Sequence, residues 1–336
     1  MTITSSVRTG SSVTETRRIT VPDPKAAPRP KPRVTVGGVV RLVGLGLWLL
    51  ITLFPLYWIT LTAFKSPGTI NRFPIEYWPS EPSLDNFTSL FEKSSFGTFL
   101  ANSAIVAVSA GAVATLIALL SAYVLARFEF RGKGTVLIAF LLTQMIPAFI
   151  ALGPLYSMMT DLGLVDTKPG LILVYIAICI PFSTVMLRGF FENVPDALEE
   201  AAMIDGCSRL GALFRVLVPV MTPGIIAAFI FNFVNCWNEL FLSVVLMNTD
   251  ANRTVPSALN GFISTFNIDW GSMSAAAVLT ILPTMVMFAL ASRWIVQGLT
   301  AGAVKVRAHH LLDQRPRARC VHRRAPRRPA SADGRP

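Results

Sequence analysis

The chain has 336 residues, 52% of them hydrophobic and only 15% charged, with a mean hydropathy of +0.55. Soluble domains carry about 25% charged residues, so this deficit argues against an ordinary soluble globule and for a membrane protein. The net charge is +11, and the four cysteines, Cys179, Cys207, Cys236 and Cys320, show no Cys-x-x-Cys or zinc-like spacing, so neither a disulfide framework nor a metal site follows from them.

Residues 1–37 are rich in Ser, Thr, Pro and Arg and cannot bury a core, which predicts a disordered tail. They do not resemble a cleavable signal peptide, because the first long apolar run starts only near Gly37 and lacks a small-residue cleavage site. Six apolar runs follow, at about 38–64, 99–126, 134–159, 169–190, 218–247 and 272–296. Each is long enough for the roughly 20 residues that a membrane-spanning helix needs. The third contains Pro147 and Pro154, which could split it. The expected fold class is therefore all-α, a polytopic membrane protein with six transmembrane helices.

The loops orient these spans, since Lys and Arg accumulate on the cytoplasmic side. The first tail is basic, the second loop carries Arg127, Arg131 and Lys133, the fourth Arg188, Arg209 and Arg215, and the end after span six Arg293, Lys305 and Arg307. The alternate loops are acidic or balanced, with Glu76, Glu81, Asp85 and Glu92 against Lys65, Arg72 and Lys93, for example. Both termini and the fourth loop are thus expected in the cytoplasm. The positive charge reads as a topology signal, and no nucleic-acid partner is expected.

The fourth loop, "EEAAMIDGCSRLGALFRVLVPVMTP", lies between two long apolar runs. Pro195 suits a first helical turn, and Asp196, Glu199 and Glu200 crowd the positive end of a helix dipole. Asp205-Gly206 signals a helix end, Ser208 a second N-cap, and Pro219 and Pro223 the entry to span five. A solvated connector is the bland reading of such a loop. Its spacing says more: Glu200-Ala201-Ala202, then Gly206 after three intervening residues, then Val216, Val218 and Pro219 after nine more. This pattern resembles the signature cytoplasmic loop of ATP-binding-cassette importer permeases, with valines where that family often has Ile and Leu. Asp205 and Phe214 fit its carbohydrate branch. "AYVLARFEFRGKG" at 122–134, "FNFVNCWNELFLSVVL" at 231–246 and "QGLTAGAVK" at 297–305 resemble sugar permeases too. The similarity covers about 38–305 and is closest in kind to the second permease subunit of maltose- and trehalose-type importers.

The resemblance implies a type I importer permease fold, with a core region at about 96–297 and a coupling helix at 195–217. It implies a second homologous permease, two ATP-binding subunits and an extracytoplasmic sugar-binding protein or lipoprotein as partners, in the bacterial inner membrane. In that setting Glu200 makes polar contacts with the ATPase, Ala201 and Ala202 allow close packing, and Gly206 permits the bend; Asp205, Arg209, Phe214 and Pro219 belong to the same docking segment. The chain has no G-x-x-x-x-G-K-[ST] phosphate loop. No cofactor is expected on it, ATP and Mg being held by the partner, and it is not expected to be an enzyme.

Span five carries Asn232, Asn235, Asn238 and Glu239 within about one third of an α-helix's circumference. Polar groups at membrane depth face a bundle interior or a watery cavity. They read either as a sugar pathway or as interhelical glue, and both readings stand. Gln144 and Thr143 are weaker candidates. Residues 306–336 are rich in Arg, His and Pro and read as a disordered extension, a frameshift product, or a basic arm for anionic lipid. The rival functions are a secondary transporter, which would want inverted repeats and coupling carboxylates near midplane, and a membrane enzyme, for which no catalytic constellation appears.

Overall fold

The structure, a computed structural model, describes residues 36–262 and 269–290. The N-terminal tail through residue 35, the end of the sixth expected span, the 297–305 segment and the basic end at 306–336 lie outside the described residues. The chain divides into two compact units, residues 1–57 and 58–336. In the first, α1 (Val36–Ala63) begins, and its side chains from 37 to 57 are exposed although nearly all are apolar. A helix without a polar face requires hydrocarbon or a partner around it.

The second unit is helical, with no strand among the described residues. The last turn of α1 leads to α2 (Asp85–Lys93), α3 (Phe96–Arg127), α4 (Lys133–Met145), α5 (Ala148–Asp161) and α6 (Lys168–Glu192). The fourth loop forms the expected short pair, α7 (Asp196–Ile204) and α8 (Arg209–Ala212). A π turn at Leu213–Leu217 joins α8 to α9 (Val218–Asn238), so that Arg209–Asn238 is one continuous helix of 30 residues. The short α10 (Phe241–Leu246) and α11 (Val255–Leu259) precede α12 (Trp270–Leu290).

Five of these helices are long and apolar enough to cross a membrane, and α4 with α5 makes a sixth span only if a 102° bend is allowed. Pro147 causes the break. It clashes with a helical conformation of the residue before it, and Ile146 is accordingly extended. Pro154, by contrast, is accommodated inside α5. The fifth expected span is also shorter than its apolar run. α9 stops at Asn238, and Glu239 has extended backbone.

α3 packs chiefly against α6 and α9. Its buried face is a series of small residues, Ala107, Ala110, Gly111, Ala114, Ala118 and Ala122. Small residues let helix backbones approach where lipid tails supply no hydrophobic drive for association. A Cβ on Gly111 would lie 3.3 Å from the backbone nitrogen of Phe233. Two apolar clusters extend this contact. One joins the ends of α3 and α6 to the π turn and α9 through Tyr123, Leu187, Phe191, Leu213, Leu217 and Met221. The other joins the start of α3 to α2, α11 and α12 through Phe96, Leu90, Val255 and Ala275.

Candidate functional site

The 195–217 segment is built as its residues suggest. Pro195 caps α7, and Asp196 and Glu199 occupy its first turn. Asp205 ends the helix, and Gly206 follows at φ 90°, where an L side chain is strained. Ser208 caps α8, its hydroxyl accepting from the Gly211 N–H at 3.1 Å.

The segment is clamped to the end of α3. The Tyr123 hydroxyl donates to Glu199 Oε1 at 2.6 Å. Arg127 Nε lies 3.2 Å from Glu199 Oε2, an ion-pair contact without hydrogen-bond alignment. Arg127 also pairs with Asp196 and donates from Nη2 to the Val194 carbonyl at 2.9 Å. Arg209 places its guanidinium 5.1 Å from the centre of the Phe128 ring, a cation–π distance. Glu199 is 7% exposed, whereas Glu200 one residue on is exposed.

Ala201, Asp205, Gly206, Arg209, Phe214 and Pro219 are exposed, but Ala202 is buried. The small-residue surface expected of both alanines thus reduces to Ala201, because Ala202 lies three residues from Glu199 on the inward face of α7. Around it the segment presents apolar side chains outward, with Ile204 86% and Leu210 63% exposed. Sequence reasoning passed over the part of Glu199 as a clamp, since its partner residues are 76 and 72 positions away.

The four polar residues of the fifth span separate. Asn232 is fully buried: it accepts from the Ser183 hydroxyl at 2.7 Å and donates to Thr115 Oγ1 at 3.0 Å. It ties α9 to α6 and α3, the contact that interhelical glue would make. Asn238 is exposed, donates to the Val234 carbonyl, and borders a cavity of about 390 Å³ with Asn260 and Thr280. Glu239 leaves the helical stripe altogether. Its carboxylate accepts from the Leu242 and Ser243 N–H groups at the start of α10 and from the Tyr175 hydroxyl of α6 at 3.0 Å. Phe233 and Trp237 stack on each other in the core, and Trp237 Nε1 donates to the Thr280 carbonyl of α12.

Asn235 and Glu239 do meet, in a cavity of about 160 Å³ with Gln144, Tyr175, Phe182 and Phe231. The two phenylalanine rings stack at 4.2 Å. Cys179 and Cys236 stand in the same wall, their sulfurs 3.7 Å apart. Gln144 enters because α4 ends just beyond it, at the break that Pro147 imposes. Thr143 instead bonds back to the Phe140 carbonyl. No helical wheel of span five could have found Tyr175 or Phe182, which come from α6. Among the described residues no group of three or more metal-ligating side chains is present.

Between α5 and α6, Asp166 adopts φ 56°. Its carboxylate accepts from the Asn248 and Thr249 N–H groups and from the Thr249 hydroxyl. Burial pushes the Asp166 carboxyl up, but the Thr249 and Asn248 donors outweigh it and hold the group below its ordinary value.

Residues 114–300 match the family model described as binding-protein-dependent transport system inner membrane component. The chain is 36% identical over 274 residues to the diacetylchitobiose uptake system permease protein DasC of Streptomyces coelicolor, covering 82% of this chain and 96% of that one. It is 36% identical over 255 residues to the trehalose transport system permease protein SugB of Mycobacterium tuberculosis, covering 75% and 92%. Among solved structures, one chain of a bacterial ABC transporter involved in the import of the acidic polysaccharide alginate matches with a TM-score of 0.70 at 22% identity, over 79% of this chain and 99% of that one. At that identity the likeness speaks for the fold alone.

Proposed function

The chain belongs to the family of binding-protein-dependent transport system inner membrane components, and from that premise we propose that it forms half of the translocation pathway of an ATP-driven sugar importer. It is a multi-pass protein of the inner membrane. Its cargo is a disaccharide of the trehalose or maltose kind or a related sugar; two of its relatives are named for disaccharides, diacetylchitobiose and trehalose. A second, homologous permease supplies the other half. Two ATP-binding subunits hold ATP and Mg below, and an extracytoplasmic sugar-binding protein or lipoprotein delivers cargo above. Both termini and the 195–217 segment are cytoplasmic.

One observation carries this reading. The segment that would meet the ATPase is mechanically continuous with the polar pocket. Its exposed face is formed by Glu200, Ala201, Asp205, Gly206, Arg209 and Phe214. From Arg209 the helix runs unbroken to Asn238, about 45 Å at 1.5 Å per residue, beside Glu239 and Asn235. A shift of α8 against the ATPase is therefore a shift of the pocket wall. The Glu199 clamp adds a second connection, to α3. Rigid-body switching of this kind needs a ligand that favours one of the two states, and ATP on the partner subunits supplies it.

A secondary transporter is not favoured, because other relatives are named as ABC transporter permease proteins. Proteoliposomes holding the second permease and the ATPases, with binding protein and trehalose outside, test the choice. Uptake should require internal ATP and vanish when the ATPase subunits are left out. Uptake that persists without them, driven by an ion gradient, would refute the reading.

A further inference from the structure

We propose that the pocket between α4, α6 and α9 sorts sugars by charge, taking a unit of an uncharged glycan and turning away uronates, sulfonates and phosphates. The inference rests on reading this pocket as part of the sugar path. It adds to that reading a rule of charge exclusion.

The chemistry of the wall is one-sided. Gln144 and Asn235 offer amides and Tyr175 a phenol, and Glu239 is the one carboxylate; the lining residues include no Lys, Arg or His. An anionic sugar drawn out of water needs a cation or a set of charge-assisted donors to replace its hydration. Here it would meet Glu239 instead. That carboxylate is fixed in place, because Tyr175 holds it from α6 while two N–H groups of α10 hold it from the other side. Amides and a phenol, by contrast, match hydroxyl groups, which both donate and accept.

The stacked pair Phe182 and Phe231 also lines the pocket, an apolar surface for the C–H face of a sugar ring. Binding sites for small molecules combine such surfaces with a few placed polar groups. The cavity of about 160 Å³ is below the roughly 300 Å³ at which typical ligand sites begin. It suits part of a disaccharide, with the rest of the cargo lying against the second permease.

Cys179 and Cys236 stand in the pocket wall and make its charge readable. In the assembled importer, with Cys207 and Cys320 of this chain replaced by serine, the two thiols are labelled with methyl, 2-aminoethyl or 2-sulfonatoethyl methanethiosulfonate and followed by peptide mass. The cationic reagent should react faster than the anionic one by on the order of 10-fold, the scale on which a charged cleft concentrates counter-ions. Glu239→Gln should bring the ratio close to one while keeping an acceptor for α10. Because the ratio compares reagents at the same thiols, a change in thiol reactivity cancels. Trehalose should slow the methyl reagent, and a disaccharide carrying glucuronate should not.

A sulfonate reagent as fast as the amine in the wild type overturns the proposal, as does a ratio that Glu239→Gln leaves unchanged. Protection by the uronate equal to that by trehalose overturns it too. A charge ratio that holds while no sugar slows labelling, or thiols that no reagent reaches, would instead place the pocket off the sugar path, and the proposal would fall with that premise.

Discussion

Glu199 is buried against Tyr123 and Arg127, while Glu200 faces outward. The two adjacent carboxylates should therefore fail differently. Glu199→Ala strips the nearly buried Arg127 of one of its two acidic partners. Breaking a buried pair costs about 3–5 kcal/mol, and because Asp196 remains, the lower end applies. The purified complex should unfold at a lower temperature. Glu200→Ala should stay within about 0.5 kcal/mol of the wild type, as exposed substitutions do, yet lose uptake through weakened ATPase docking. Thermal unfolding and uptake measured side by side decide this; the opposite pattern would move the docking role to Glu199. Asp166 makes a third case. Its carboxyl is held below its ordinary value of 3.8, so its hydrogen bonds to the 248–249 loop stabilise the fold fully above that value. The contribution is lost as pH falls through the lower, folded value. Between neutral pH and about pH 3 the stability of the wild type should fall more steeply than that of Asp166→Asn, whose side chain does not titrate. An identical pH slope would show that this contact carries no pH-dependent stability.

The packing of α3, α6 and α9 explains why Asn232 of the fifth span is an interhelical contact. Asn232 sits where α3 presents Thr115 and α6 presents Ser183. Asn232→Ala should destabilise the complex by about 0.6 kcal/mol for each interhelical hydrogen bond lost. It should leave the ranking of transported sugars unchanged, whereas Asn235→Leu should lower uptake without loss of assembly. A changed sugar ranking in Asn232→Ala would restore that residue to the pathway. Much of this architecture could be read from residue order. The apolar runs, the break at Pro147, the Gly206 bend and the Ser208 cap each depend on local chemistry that acts within a few residues. The site was legible only in part, because a helical wheel gives the angle of a side chain and not what stands opposite it. It placed Asn232 beside Asn235 without showing that one meets α3. It extended the helix through Glu239, since "NELFLSVVL" remains apolar enough to continue, although Glu239 instead caps α10. Tyr175, Phe182 and Tyr123 joined the site through contacts between helices that no short stretch of sequence encodes.

At the scale of the whole molecule, the continuous helix Arg209–Asn238 follows α7 at one end and reaches the pocket towards its other end. The exposed apolar residues Ile204 and Leu210 and the exposed apolar stretch of α1 from 37 to 57 are surfaces that a monomer in water would not keep. They are consistent with a subunit whose stable form includes lipid and protein partners. The central claim is that the 195–217 segment passes an ATP-driven movement to the pocket. It is tested most directly by a single cysteine at exposed Ala201, in a complex otherwise free of reactive cysteines, paired with a cysteine on the facing surface of the ATPase. The account predicts a cross-link between this chain and the ATPase, and an arrest of sugar uptake on cross-linking that reduction of the bond reverses. No cross-link at Ala201 or Glu200 with any ATPase position, or full uptake with the link in place, would contradict it.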